Sequence, residues 1–184
     1  MPYHYFFAAL WLILVAYWTY GYFGNKRSEY VWRPAWRAAA IVAFIAMVVA
    51  LLEIPAMGTR VFRPPEPVVW AGLAVCASGI GFAIWARRTL GRNWSGAIAI
   101  KEGHELITSG PYRLVRHPIY TGLLVGLAGT VMGSGRVREL LILAAAVLAV
   151  WFKLSVEEKL MLRRFPEAYP QYRKRTKVII PFVL

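Results

Sequence analysis

The sequence contains no aspartate: its nine acidic residues are all glutamate, against 22 Lys and Arg, and the net charge is +13. So basic a chain meets either nucleic acid or an anionic membrane surface. Here the basic residues fall in short loops between apolar blocks, which favours the membrane over nucleic acid. Cysteine is nearly absent too. The single Cys76 sits inside an apolar block, so no intrachain disulfide framework is possible, and no Cys/His cluster suggests a metal. Cys76 reads as a small buried packing residue. The first apolar block has no basic residue ahead of it and no small-residue cleavage site, so it reads as a retained membrane helix and not a removed signal. There is no internal repeat and no low-complexity segment.

What is present is apolar. Hydrophobic residues make up 59% of the 184 positions and aromatics 15%, with eight Trp. Mean hydropathy is +0.49. A soluble domain of this size is closer to about half apolar. The excess sits in five blocks, approximately 3–23, 38–58, 67–86, 118–134 and 139–156. A spanning helix needs about 20 residues, so each block suffices, the last two with little tilt. Five spans place the loop after block one, the long third loop and the tail on one side, with 18 of the 22 basic residues. The positive-inside rule then puts the N-terminus outside and the C-terminus in the cytoplasm. The expectation is an all-α, multi-pass integral membrane protein of the plasma (inner) membrane of a prokaryote, folded as one domain. Three spans lie in residues 1–86, and a polar-rich region with the other two lies in 87–184.

Block four carries Gly122, Gly126, Gly129 and Gly133, and block five carries Ala144, Ala145, Ala146 and Ala149. Small residues let membrane helices approach closely, so these two blocks are expected to form a tight hairpin around Gly135. The polar piece after block five opens as a helix, VEEKLMLRRF, expected to stop near Pro166, with a second short helix in AYPQYRKRT.

Two stretches hold residue types suited to chemistry. In GPYRLVRHPIY (110–120), Pro118 is well placed to open a helix, because its missing N–H would be unpaired there anyway. Arg116 and His117 then flank a helix N-terminus, where a negative ligand group is favoured. The alternative is an interface anchor, with Arg116 reaching for head groups and Tyr120 in the aromatic belt. At the end of block five, Lys153 and Glu157 share one helix face, and Glu158 lies beside it. They form either a local ion pair or a carboxylate for a ligand's ammonium. If blocks four and five pair, both stretches converge at one end. Weaker signals are GIG (79–81) with no strand before it, His4 at an interface, and Glu53 near the outer end of block two.

The ordered set NWS (93–95), HELITSGPYRLVRHPIYTG (104–122) and EEKLMLRRFPEAYPQY (157–172) resembles the isoprenylcysteine carboxyl methyltransferase family. This is a group of integral membrane methyltransferases that includes phospholipid methyltransferase relatives. The resemblance covers residues 88–184. It implies a methyl transfer from S-adenosylmethionine to a lipid-like or other hydrophobic acceptor at the cytoplasmic face, on a carboxylate oxygen or an amine. It implies cofactor contacts from His104, Glu105, Leu106, Ile107, Tyr112, His117, Pro118, Ile119, Tyr120 and Glu157. Arg116 and Asn93 fall near the reacting groups, and Lys153 faces the acceptor. Prenylcysteine members have Arg at that last position. Lys does not reproduce the two parallel bonds of Arg to a carboxylate, which counts against a prenylcysteine acceptor. Direct displacement needs no metal. The partners implied are the lipid bilayer and a hydrophobic acceptor, with no nucleic acid. Two other classes compete: an NADPH-dependent membrane reductase with a similar C-terminal region, and a non-enzymatic membrane scaffold.

Overall fold

The computed structural model describes residues 3–22, 28–31, 46, 54–91, 94, 99–101 and 105–180. Helix α1 covers His4–Tyr22, α2 Glu66–Leu90, α3 Pro118–Ser134, α4 Val137–Arg164 and α5 Ala168–Arg175. Single turns of 3-10 helix lie at Pro55–Gly58 and Gly110–Arg113. The all-α expectation needs one correction. Ser28–Val31 (β1) and Ala99–Lys101 (β2) form a two-stranded antiparallel ribbon, with Tyr30 opposite Ile100 and Val31 opposite Ala99. Aromatic and β-branched types suit such a ribbon, and a search for long apolar blocks passes over strands this short.

The helix ends follow local chemistry. Pro118 opens α3, as the sequence suggests, and Gly135 closes it at φ +62°, a left-handed position that glycine takes without strain. Helix α4 runs on past the apolar block and ends at Arg164, with Phe165 as its cap ahead of Pro166. Among the described residues, α2 (25 residues) and α4 (28 residues) are long and apolar enough to cross a membrane, and α3 is a shorter apolar helix of 17 residues. Helix α1 has 19 residues and no Asp, Glu, Lys or Arg. Most of block two, Glu53 included, lies outside the described residues.

The glycines of α3 do not serve the expected hairpin with α4. They pack against α2. A Cβ added to Gly72 would lie 2.7 Å from the carbonyl oxygen of Gly129, and one on Gly79 would lie 2.6 Å from that of Gly122. One on Gly129 would strike the backbone nitrogen of Cys76. The reason is a matched spacing: Gly72, Cys76, Gly79 and Ala83 repeat on α2 the four-three-four steps of Gly122, Gly126, Gly129 and Gly133 on α3. Two such stripes let antiparallel backbones touch. By contrast Ala144 and Ala149 on α4 are exposed.

Helix α1 closes the other side of this pair. Phe7 and Leu14 join a core with Val69, Leu73, Cys76, Ile80 and Ala83, and Trp11 Nε1 donates to Thr130 Oγ1 at 3.1 Å. At one end of the bundle, Val61 N donates to the Gly135 carbonyl at 2.7 Å, and Tyr3 donates to Glu66 at 2.8 Å. At the other end, buried Arg87 donates to the carbonyls of Gly21 and Gly91, both at 2.8 Å, and lies 4.3 Å over the Trp94 ring. Helix α4 buries only Leu154, while Leu148 and Trp151 are 72% and 73% exposed. So bare an apolar helix needs lipid or another apolar cover.

Candidate active site

The 28 residues of α4 extend about 42 Å at 1.5 Å per residue. An apolar layer of about 30 Å takes only about 20 of them. The last two turns, beginning at Glu157, therefore project beyond the apolar part. There they meet the start of α3 and, through the sharp stop at Phe165, the returning helix α5.

The polar groups named from the sequence converge at this point. Tyr120 donates to Glu157 Oε1 at 2.9 Å, and Lys153 Nζ lies 3.9 Å from the same oxygen and 5.2 Å over the Tyr120 ring. His117 Nδ1 lies 3.6 Å from Glu157 Oε2, and the His117 and Tyr120 rings stack at 6.0 Å between centroids. Glu157 thus has one short hydrogen bond and two longer approaches, which leaves acceptor capacity on a carboxylate that offers about four lone-pair sites.

Glu158, one residue on, points to different partners. Its Oε1 receives Arg116 Nε at 2.7 Å and the Tyr169 hydroxyl at 2.8 Å, with His117 Nε2 at 3.1 Å, and Oε2 lies 3.3 Å from Arg173 Nε. Burial alone raises its carboxyl pKa, but the hydrogen bonds from His117, Arg116 and Tyr169 outweigh that and hold it down at about 2. An ionised carboxylate only accepts, so His117 Nε2 carries a proton toward Glu158. Burial, then the Glu158 charge, pushes the Tyr169 hydroxyl well above the ordinary phenol range. Burial likewise raises Tyr172 to about 12.

The C-terminal segment is laid across the same place. Arg116 N donates to the Lys177 carbonyl at 2.8 Å and His117 N to that of Val178 at 3.1 Å. Thr121 Oγ1 donates to the Ile179 carbonyl at 2.7 Å, and Arg116 Nη1 to that of Thr176. These contacts lay the C-terminal segment against the start of α3.

The remaining predicted residues separate into groups. Ile107, Tyr112 and Ile119 share an apolar cluster with Ala86 and Trp94, and Pro118 is fully buried beside it. Tyr112 is bound to the polar side by its carbonyl, which accepts the Tyr172 hydroxyl at 2.7 Å. Burial raises its own hydroxyl far above the ordinary range. Glu105 is exposed. Leu106 lines a cleft of about 770 Å³ with Ser109, Arg113, Tyr172, Arg175 and Thr176, and the carbonyl of Thr176 ties this cleft to Arg116. Asn93 and His104 lie outside the described residues. Sequence reasoning gave no role to Glu158 and passed over Tyr169, Arg173 and Thr176. The signal for them was the adjacent glutamate pair in so basic a chain, with Tyr169 and Arg173 one helical turn apart.

Apolar helices with a dense charged cluster at one end define a class: a membrane-type helical protein whose candidate site is built from helix ends and a returning C-terminal segment. The phospholipid methyltransferase family profile matches residues 67–168. Protein-S-isoprenylcysteine O-methyltransferase B of Arabidopsis thaliana is 31% identical over 150 residues, 76% of this chain and 73% of the relative. The nickel-cobalt-cadmium resistance protein NccN of Alcaligenes xylosoxydans xylosoxydans is 37% identical over 100 residues, 50% of this chain and 44% of the relative. The solved structure of a eukaryotic intramembrane Ras methyltransferase, isoprenylcysteine carboxyl methyltransferase, superposes with a TM-score of 0.55 at 25% identity, over 84% of this chain and 55% of that one. The chain therefore spans less than half of the metal-resistance relative and about half of the solved structure. It belongs to the phospholipid methyltransferase family, on the side of its isoprenylcysteine O-methyltransferase members.

Proposed function

We propose that this chain transfers a methyl group from S-adenosylmethionine to a lipid-like or other hydrophobic acceptor at the cytoplasmic face of a membrane. The acceptor atom is a carboxylate oxygen or an amine nitrogen. The observation that carries the reading is the meeting of His117, Tyr120, Lys153 and Glu157 at the ends of α3 and α4, in a chain of a methyltransferase family.

The residues present fit the cofactor. Glu157 retains acceptor capacity for an ammonium group. The Tyr120 ring already receives a cation on its face from Lys153, and such contact contributes about 0.5–2 kcal/mol. Ile107, Tyr112, Pro118 and Ile119 supply an apolar wall beside these groups. His104, Glu105 and Leu106 complete the cofactor side in this reading. When bound, S-adenosylmethionine supplies an electrophilic methyl group on a sulfonium. The work left to the chain is alignment and exclusion of water. In this reading Arg116 and Asn93 act near the reacting groups, and Lys153 serves the acceptor. A lysine there favours an acceptor that needs no bidentate carboxylate clamp. The same reading takes five spans with the N-terminus outside, in a prokaryotic plasma membrane, so that lipid acceptors enter from the bilayer and the cofactor from the cytosol.

One titration tests it. Detergent-purified protein is expected to bind S-adenosylhomocysteine at micromolar concentration and not to bind NADPH. Binding of NADPH alone would replace the methyltransferase reading with the reductase one. Labelled S-adenosylmethionine added to membranes then separates the acceptors, with label in lipid, in base-labile ester, or in small hydrophobic molecules.

A further inference from the structure

In the proposed methyl transfer Glu157 holds the cofactor, and its neighbour Glu158 has no assigned task. We propose that Glu158 is the positioning residue of this site. It fixes Arg116 and His117 from behind and latches the C-terminal segment over them, without touching a ligand itself. The catalytic consequence rests on the proposed methyl transfer; the latch does not.

The two glutamates differ in how far they are already used. Glu158 Oε1 is met by three groups within 3.1 Å, from Arg116, His117 and Tyr169, and Oε2 by Arg173 at 3.3 Å. Its side chain is 15% exposed and that of Arg116 is 6% exposed. Little capacity remains for a ligand. Those partners come from two other pieces of chain: Arg116 and His117 enter α3, and Tyr169 and Arg173 lie on α5. Arg116 carries the connection onward, since its Nη1 reaches the carbonyls of Arg173 and Thr176 while its backbone N–H holds that of Lys177. One carboxylate therefore joins α4 to α3 and to the segment that covers α3. It also sets His117, because the proton on Nε2 is committed to Glu158 and Nδ1 is turned toward Glu157. Glu157, with one short hydrogen bond, keeps acceptor capacity for a further cationic group.

The test uses full-length protein in detergent as wild type, Glu157→Gln and Glu158→Gln. Trypsin cleavage after Arg173, Lys174, Arg175 and Lys177 is mapped by mass spectrometry, with helical circular dichroism as the control for folding. Glu158→Gln is expected to be cut there at least about tenfold faster at unchanged helicity, in line with loss of a charged hydrogen-bond partner, and Glu157→Gln at the wild-type rate. Equal rates in Glu158→Gln and wild type overturn the latch. If Glu158→Gln does not fold, Tyr169→Phe removes one α5 partner without altering α4 and is expected to raise cutting after Lys174 by about tenfold, one hydrogen bond to a charged acceptor; no change there overturns the latch equally.

Turnover per S-adenosylhomocysteine-binding site is the second readout. Glu158→Gln is expected to lower kcat per site at least about tenfold while KM for S-adenosylmethionine stays within about threefold, and Glu157→Gln to raise KM. A purely structural residue would reduce the number of binding sites and leave kcat per site alone, and that result overturns the positioning role. Should wild type neither bind nor turn over the cofactor, the methyl-transfer reading fails, and the trypsin pattern still decides the latch.

Discussion

Adjacent glutamates, 157 and 158, illustrate how one residue of offset on a helix divides labour. Successive side chains on a helix point about 100° apart, so one faces Tyr120 and the other faces α5. Glu157→Ala is expected to weaken S-adenosylhomocysteine binding by at least about tenfold, because a charged hydrogen bond is worth about 1.5–3 kcal/mol; calorimetric titration of the folded variant measures it, and unchanged affinity removes Glu157 from the site. Glu158 bears on stability against pH. Its folded carboxyl, at about 2, lies below the ordinary glutamate value of about 4.3. A depressed carboxylate contributes stability that is fully present above the unfolded value and is lost as pH falls through the folded one. Thermal melts followed by circular dichroism should therefore show the wild type losing stability between about pH 4 and pH 2. Glu158→Gln should be less stable at neutral pH and flatter across that window. A parallel decline in both proteins would show that other carboxylates control acid unfolding. At this scale the sequence showed which residues are charged and near helix ends. It did not show which partner each would choose, because Tyr169 and Arg173 reach Glu158 only after the chain reverses at Pro166.

For the helices, the sequence displayed the glycine stripe on α3 and hid its partner. The nearest small residues along the chain are the alanines of α4, but contact is decided by matching spacing across the interface. The stripe of Gly72, Cys76, Gly79 and Ala83 is interrupted by larger residues when read linearly. The interface discriminates sharply among glycines of one helix. A Cβ on Gly126 meets only side-chain atoms, with Trp11 at 3.4 Å and Ile80 at 3.6 Å, both ordinary contacts. A Cβ on Gly129 meets the backbone of α2 at Cys76 and Gly72. Gly126→Ala is thus expected to be neutral or slightly stabilising, since alanine favours a helix over glycine by about 0.5–1 kcal/mol. Gly129→Ala must push two helices apart and is expected to cost about 1–3 kcal/mol or more. Thermal unfolding in detergent compares them directly; equal melting temperatures would mean that α2 and α3 do not touch along this stripe.

For the molecule as a whole, direction is the property that ties fold to function. The bundle has two unlike ends. One holds the N-terminus, where Tyr3 meets Glu66, and the turn at Gly135. The other holds Arg87, the start of α3, the projecting end of α4 and all of α5. Basic residues accumulate at this second end, in the third loop and the tail, and positive charge is retained on the cytoplasmic side. The charge asymmetry that the sequence displays and the polar cluster that folding assembles therefore select the same face. In the proposed methyl transfer a soluble cofactor needs that face in the cytosol, and the bare apolar side of α4 would offer a hydrophobic acceptor its approach through lipid. A reporter fused after Leu184 is accordingly expected to be active in the cytoplasm, and one fused before Met1 to be active outside. A reporter after Gly135, at the opposite end from the cluster, should agree with the N-terminal one. An external C-terminal reporter would place the cluster away from its cofactor and overturn the span count with it. Agreement of the two terminal reporters on the cytoplasmic side would instead require an even number of spans, and would point to the region around residues 38–53 as the segment that does not cross.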